Sequence, residues 1–583
     1  MIDRNDLELN TGFKNGLRVE VAIIGGGVAG LYTGYRLLDG EHHHPDQRID
    51  PSQVHIFELS HRIGGRLWSV QLPGMSVWGE LGGMRYLPTQ EIVTALAETV
   101  FADRMKAVDF SMGDPAHLFF YLRKQRFRAN AWNHAQVRGE RFKTGFILNE
   151  GDVGYSPDQL FNKIIYDVMH ADPAVRNNYG DKIRHPKPDA YEFRLTRREW
   201  NEIKPVLIYN FPGPYAGMRV ADMGFWNLIQ DRVSAEGYQF LSEAGGYYSL
   251  TINWNAAEAF PYLVGDFSKT GPVGYRTIEG GYDQIAYALA QAFCRTPGAA
   301  IWAGNSLVDF EAAPASDGSR YRLTILNHKS HKPWIVHANR IVLAMPGRSL
   351  ELVKQSNFFV DRERNEDLHH AIVSVTIEPS FKILMGFAEP WWKGDFGALA
   401  GESLTDLPMR QCYYFGTDPE NSHSLFLAGY NDMRTVRFWS ALEDPSDRFE
   451  AKPTRHARRE ALDEWQSVQA PRVMVEEAMK QVRELHGHLP DPIADPYVTY
   501  YKDWSKDPFG GGYHGWKARI AVQDVMRYMR RPNPSEPIYL CGEAYSEQQG
   551  WVEGALCTAE HMLQDYFDLK WPRWLARDYY LGW

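Results

Sequence analysis

Cysteine is scarce: four occur in 583 residues, at Cys294, Cys412, Cys541 and Cys557, and their spacing fits neither a metal site nor a redox pair. That excludes a disulfide framework and points to buried thiols in a reducing, cytoplasmic compartment. Long hydrophobic runs are missing as well. The longest candidate, VAIIGGGVAGL, is cut by glycines well short of the roughly 18 residues that a membrane helix needs. Positive charge is not in excess: 63 Lys and Arg against 73 Asp and Glu leave a net charge of -10, which argues against a nucleic-acid binder. Internal repeats and low-complexity tracts are absent. The polar start MIDRNDLELNTGFKNG lacks the apolar core of a secretory leader, with a processed precursor left open. At 44% hydrophobic and 23% charged residues, the balance is that of a globular chain. Its length suits two to four domains, or one large enzyme with insertions.

What is present begins with RVEVAIIGGG, a β-branched run of strand length, followed by VAGLYTGYRLL with apolar residues at helical spacing. Gly25, Gly27 and Gly30 form Gly-x-Gly-x-x-Gly between that strand and helix. The first permits a tight turn, the second lets backbone N–H groups approach a pyrophosphate, and the third lets helix and strand pack closely. Val28 and Ala29, at the helix N-terminus that favours phosphate charge, belong to the same candidate site. A polar loop with three adjacent histidines, His42 to His44, reads as solvated rather than as a metal site, because consecutive residues rarely converge on one ion. A second strand, VHIFEL, then carries Glu58, the acid expected to accept hydrogen bonds from a ribose, with Leu59 beside it. Glu58 lies farther from the glycines than the usual spacing of roughly 20 residues, and the inserted loop explains the excess.

From about 90 to 250 the pattern is mainly helical, as in EIVTALAETVFAD and DQLFNKIIYDVMH. Strands return beyond 270 in YRLTIL, RIVLAMP, FKILMGF and SLFLAGY. A helix follows in VMVEEAMKQVRELHG, where Met474, Ala478, Val482 and Leu485 line one face and Gly487 ends it. EPIYLCGEA then reads as a buried strand and WVEGALCTAEHMLQDYF as a helix. Nucleotide-type units at both ends imply a discontinuous α/β domain interrupted by insertions. The aromatic tail KWPRWLARDYYLGW is expected to dock on the chain's own core or on a second subunit.

Glu58 followed by Arg62, Gly64, Gly65 and Arg66, in ELSHRIGGRLWSV, resembles the dinucleotide motif extension of the flavin-containing amine oxidase superfamily. Within it, ELGGMRYLP and GEAYSEQQGWVEGALCTAE resemble the L-amino acid oxidases. GGYDQIAYAL, IVLAMP, SFKILMGF and LTDLPMRQCYYFG are similar to further family segments, whereas about 100 to 250 gives no residue-level match. The resemblance implies FAD as cofactor and a mixed α/β fold. Its parts would be a discontinuous Rossmann-like FAD-binding domain (1–90, 270–347 and 515–570), a mixed-sheet substrate-binding domain (91–115, 250–269 and 348–514), an inserted helical domain (116–249) and the aromatic tail (571–583).

The same resemblance assigns roles. Arg62, Gly65 and Arg66 would join Glu58 in holding the cofactor, and Gly82, Gly83 and Met84 would pass against the flavin. Arg85 would bind the substrate carboxylate, a role that a planar, permanently charged guanidinium suits and lysine does not. A structural ion pair is the alternative for Arg85. One tyrosine of QCYYFG would supplement the clamp; alignment favours Tyr413 over Tyr414, and neighbours on a strand face opposite ways. Lys382 would hold a water near flavin N5. Gly542 and Glu543 would contact the ribityl and diphosphate end, and Leu307 would donate its backbone to adenine. Val552 would donate to the flavin's pyrimidine edge. Trp551 would wall the substrate site, and the Gly550 carbonyl would accept from the substrate amine.

The activity so implied is oxidative deamination of L-amino acids, with hydride transfer from Cα to flavin N5, giving 2-oxo acid, ammonia and hydrogen peroxide. Partners would be an L-amino acid, molecular oxygen and a second copy of the chain in a homodimer or higher homo-oligomer. An amino acid 2-monooxygenase, an amine oxidase without use for Arg85, and a non-catalytic flavin-binding protein are the competing readings.

Overall fold

The computed structural model describes residues 2–7, 9–266, 274–487 and 492–583. The N-terminal glycines shape the backbone as their positions predict. Strand β1 (Leu17–Ile24) enters helix α1 (Val28–Asp39) through Gly25, whose φ of +113° is closed to most side chains. A Cβ on Gly30 would lie 2.0 Å from the Gly25 carbonyl oxygen. Only glycine allows this helix to sit that close to its strand.

β1 pairs in parallel with β2 (Val54–Glu58) on one side and with Lys332–Leu343 on the other, and Ala300–Ala303 extends the sheet beyond β2. Ile538–Leu540, from the far end of the chain, adds in parallel to the end of Lys332–Leu343. Tyr321–Asn327 and Asn305–Ala312 complete the sheet in antiparallel fashion. Both faces are covered, as a largely parallel sheet requires. Val21 and Ile23 enter one core with α1 and the helix Val552–Tyr566, while Ala22 and Ile24 enter another.

A second seven-stranded sheet runs in the order Val498–Asp503, Ser380–Phe387, Ser424–Asp432, Gln411–Thr417, Glu402–Thr405, Phe119–Leu122, Gln125–Arg128. Its faces divide the strand Ser380–Phe387 cleanly. Phe381, Ile383, Met385 and Phe387 pack with the helix Arg472–His486, whereas Leu384 joins the core on the opposite face. Lys382 shares that opposite face by alternation.

The hairpin Phe119–Arg128 lies in the stretch expected to be helical. Its turn is made by Arg123 and Lys124 at φ of +48° and +64°, so the Gly or Asn that normally marks such a turn is missing. Farther along, Pro157–Ala171, Arg197–Ile203, Phe225–Arg232 and Ala235–Ala244 form the expected helical body around its own core. We propose domains on these sheets, with the hairpin moved from the helical insertion to the second sheet. The boundary expected at 269/270 lies outside the described residues.

The aromatic tail docks on the chain itself. Leu575, Tyr579 and Leu581 are buried in the first core, the Tyr579 hydroxyl donates to Glu553 at 2.6 Å, and Arg197 donates to the Tyr580 carbonyl at 3.2 Å. In the histidine loop His43 and His44 are exposed as expected, but His42 is buried. Among the described residues, no helix is long and apolar enough to cross a membrane, and no cluster of three or more His, Cys, Asp or Glu could hold a metal ion.

Candidate active site

A groove of about 250 Å³ opens at the carboxyl ends of β1 and β2, the place where open α/β sheets bind ligands. Gly25, Gly27, Val28 and Ala29 form its floor, with Glu58, Leu59, Gly65 and Arg66 along one side. Leu307 lies on the wall too, and Gly542, Glu543, Gly550, Trp551 and Val552 line the rest. Gly27 caps α1 without a side-chain hydrogen bond. The first N–H groups of α1 are therefore left for an anion, and the helix dipole favours one.

The acids on the wall are set before any ligand arrives. Glu58 accepts from the Gly26 N–H at 2.6 Å and from the Ser60 N–H and hydroxyl at 2.8 and 2.7 Å. Glu543 accepts from the Gly550 N–H at 2.7 Å and the His514 N–H at 3.0 Å, and pairs with Arg66 at 2.9 Å. Burial opposes charge on Glu543, yet Arg66, His514 and these hydrogen bonds hold its pKa down to about 2.

Five of the predicted cofactor residues are not on this wall: Met84 and Arg85 line the adjoining chamber instead, and Arg62, Gly30 and Gly82 lie behind the groove. Arg62 turns inward, donating to the carbonyls of Ile63, Gly65 and Leu67 and stacking 4.4 Å from the Trp68 ring. It shapes the loop that presents Gly65 and Arg66. Gly30 serves the helix–strand contact. Gly82 packs against Arg66, where a Cβ would fall 2.0 Å from the carbonyl oxygen; of the glycine pair, Gly83 alone reaches the groove.

A chamber of about 80 Å³ joins the groove at Gly83, Gly550, Trp551 and Val552. Met84 and Arg85 enter it from one side, and Tyr247, Tyr262, Tyr282, Tyr430 and Tyr513 from the others. Arg85 is 8% exposed, and its guanidinium lies 3.9 Å from the Tyr275 ring centroid. Burial works against its charge, but Tyr413, Tyr275, Tyr247 and Glu402 raise its pKa further. It is a fixed cation at the chamber wall.

Tyr413 and Tyr414 do face opposite ways. Tyr414 bonds to Ser403 at 2.9 Å and His486 at 2.7 Å in the far core. Tyr413 is on the Arg85 side, but its hydroxyl donates to Glu402 and it does not line the chamber. Lys382 is also behind the wall. Its Nζ donates to the carbonyls of Glu80 and Gly82 at 3.2 and 2.5 Å and sits 4.3 Å from the Tyr430 ring centroid. Burial pushes Lys382 down, with Glu80 opposing. Burial and Asp283 push Glu80 up.

The chamber tyrosines escape sequence reasoning because the chain has 31 tyrosines and no spacing singles these out. Tyr430 alone had a signal: it stands opposite Lys382 in the strand register, so a lysine in an apolar strand pointed to it.

The profile described as flavin containing amine oxidoreductase matches residues 28–561. Aplysianin-A of Aplysia kurodai is 24% identical, over 94% of this chain and 90% of its own. L-amino-acid oxidase 4 of Hebeloma cylindrosporum is 24% identical, over 96% and 83%. Wild-type putrescine oxidase bound to putrescine shares the fold at a TM-score of 0.58 and 17% identity, covering 94% of this chain and 99% of its own. The free helix N-terminus, the ribose-type acid and the glycine floor fit a flavin dinucleotide. With the profile covering nearly the whole chain, the protein belongs to the flavin-containing amine oxidoreductase family, and its cofactor is FAD.

Proposed function

We propose that the chain oxidises L-amino acids to 2-oxo acids with release of ammonia and hydrogen peroxide. The observation that carries this reading is the buried Arg85 guanidinium in the chamber at the end of the groove. A simple amine has no use for it. A carboxylate does, because the guanidinium fork binds it bidentately and the pair is strong where water is excluded.

Arg85 fixes the carboxylate, and the Gly550 carbonyl and the Trp551 ring take the amine end, so that Cα faces the junction with the groove. When bound, FAD would supply the acceptor for the Cα hydrogen and its electron pair, with oxygen as the final oxidant. Tyr247, Tyr262, Tyr430 and Tyr513 close the chamber with rings that exclude bulk water. Lys382 orders the backbone of Glu80 and Gly82 beneath Met84 and Arg85. The imino acid then hydrolyses in water.

A peroxide assay across the proteinogenic L-amino acids, with products identified, tests the reading. Peroxide, ammonia and a 2-oxo acid are expected. An amide with carbon dioxide would instead make the chain a 2-monooxygenase, and a flavin that no amino acid bleaches without air would make it a binding protein.

A further inference from the structure

Amino acid oxidation has a proton problem. The substrate nitrogen arrives at neutral pH as an ammonium, but loss of the Cα hydrogen needs a lone pair on it, so a group at the chamber must accept a proton. Arg85 is always protonated. Lys382 lies behind the wall, held to two carbonyls.

The wall itself offers Tyr513 and Ser249, whose hydroxyls are 2.7 Å apart. Tyr513 packs beside Gly550, where a Cβ would meet its Cδ2 at 3.7 Å. The Tyr513 ring therefore starts at the amine end of the chamber, and its hydroxyl leads from there to Ser249. Behind it stand two buried acids. Asp432 accepts from the Ser249 N–H at 2.8 Å and from the Tyr513 hydroxyl at 3.5 Å. Glu378 lies directly opposite Tyr513 in the antiparallel pair Val375–Glu378 and Tyr513–Trp516, which puts both side chains on one face.

Glu378 is 2% exposed, and its Oε2 has no hydrogen-bond partner. An orphaned buried carboxyl oxygen needs a reason. Neither acid has a salt-bridge partner among the described residues, and Ser249 opposes the effect of burial on both. Burial raises both, and Asp432 and Glu543 raise Glu378 further. The arrangement suits two acids sharing a proton.

We propose that Tyr513 and Ser249 form a relay that carries the proton of the substrate ammonium to the Asp432–Glu378 pair. The ammonium N–H bond breaks and its electron pair stays on nitrogen. Tyr513 takes the proton as its own passes to Ser249, whose proton passes to a carboxylate oxygen. The pair holds one proton before the step and two after it, and returns one to water when product leaves. Tyr513 touches the substrate; Ser249, Asp432 and Glu378 act through it. The relay rests on the amino acid oxidase reading.

Stopped-flow reduction of the holoenzyme by an L-amino acid without air, measured against pH, tests it in wild type, Tyr513→Phe, Ser249→Ala and Glu378→Gln. Asp432, Glu543 and Tyr513 face Glu378, while Arg410, Tyr430 and Tyr262 stand nearest Asp432 and Tyr513, and these groups shape the profile. Below the pKa of the free amine the variants should be slower by about 10²-fold. Above it, where the amine enters neutral, they should rise to the wild-type rate. Equal slowing at every pH, or no slowing at all, overturns the relay. If wild type is not reduced by any amino acid, the oxidase reading falls and the relay with it. Independently of turnover, infrared spectra of the substrate-free proteins at neutral pH should show a protonated carboxyl that Glu378→Gln removes; its absence in wild type overturns the shared proton.

Discussion

The groove and the chamber meet at Gly550 and Trp551, yet they are built from different materials. The groove presents backbone: glycines at 25, 27, 65, 83, 542 and 550, with the N-terminus of α1. The chamber presents side chains, a cation and five tyrosines brought from separate elements. Their acids differ in the same sense. Glu543 is held down by Arg66 and His514, whereas Glu378, beside Asp432 and without a cation, is driven up by burial. An acid that meets cations stays ionised, and one that meets another acid keeps a proton. The first environment holds charge still, and the second can pass a proton along.

Substitutions can break this contrast at either end. The largest effect is expected at Gly30. Gly30→Ala forces a Cβ to 2.0 Å from a backbone oxygen and should yield no folded yellow protein. Gly27→Ala, whose Cβ finds its nearest neighbour at 3.9 Å, should fold but lose flavin, because the methyl group occupies the anion's place. Circular dichroism and flavin absorbance separate the two outcomes. Equal behaviour would mean that Gly27 serves only the fold.

Arg85→Ala comes next. It should raise KM for amino acids by about 10³-fold, the loss expected for a buried, hydrogen-bonded charge pair, with flavin content unchanged. Steady-state kinetics with flavin quantitation check this, and an unaltered KM would return Arg85 to a structural ion pair.

The smallest effect concerns Glu543 and stability. Its folded pKa of about 2 lies below the ordinary value of 4.5. The stabilisation it contributes is therefore complete above pH 4.5 and is lost as pH falls toward 2, at most about 3 kcal/mol. Denaturant melts of wild type and Glu543→Gln should differ most near neutrality and converge in acid. A gap that stays constant with pH would show that the carboxylate is not held down.

Legibility in the sequence followed the range of the interactions. The turn at Gly25 and the packing of Gly30 depend on atoms within a few residues, and a local pattern reports them. The helix Arg472–His486 was readable from its apolar face, with Met474, Ala478, Val482 and Leu485 all fully buried. Arg62 was misplaced because its carbonyl partners are made by the path of the loop, which a motif does not describe. The hairpin at 119–128 was hidden because Arg123 and Lys124 occupy positive φ without a turn residue's signature. Tyr413 was assigned to the correct face, but Glu402, its partner across the strand pair Glu402–Thr405 and Gln411–Thr417, draws its hydroxyl away from the chamber.

By itself the sequence determined the family, the dinucleotide turn and the presence of Arg85 just after the glycine pair at 82 and 83, because each rests on residue type in a short segment. Tertiary structure alone decided which side chains share the chamber. Tyr247 with Ser249, Tyr430 and Tyr513 come from three separate segments, and Glu378 comes beside Asp432 and Tyr513 only when strands far apart in the chain pair. Burial then set the charge of those acids, and burial belongs to the folded molecule rather than to any residue in it.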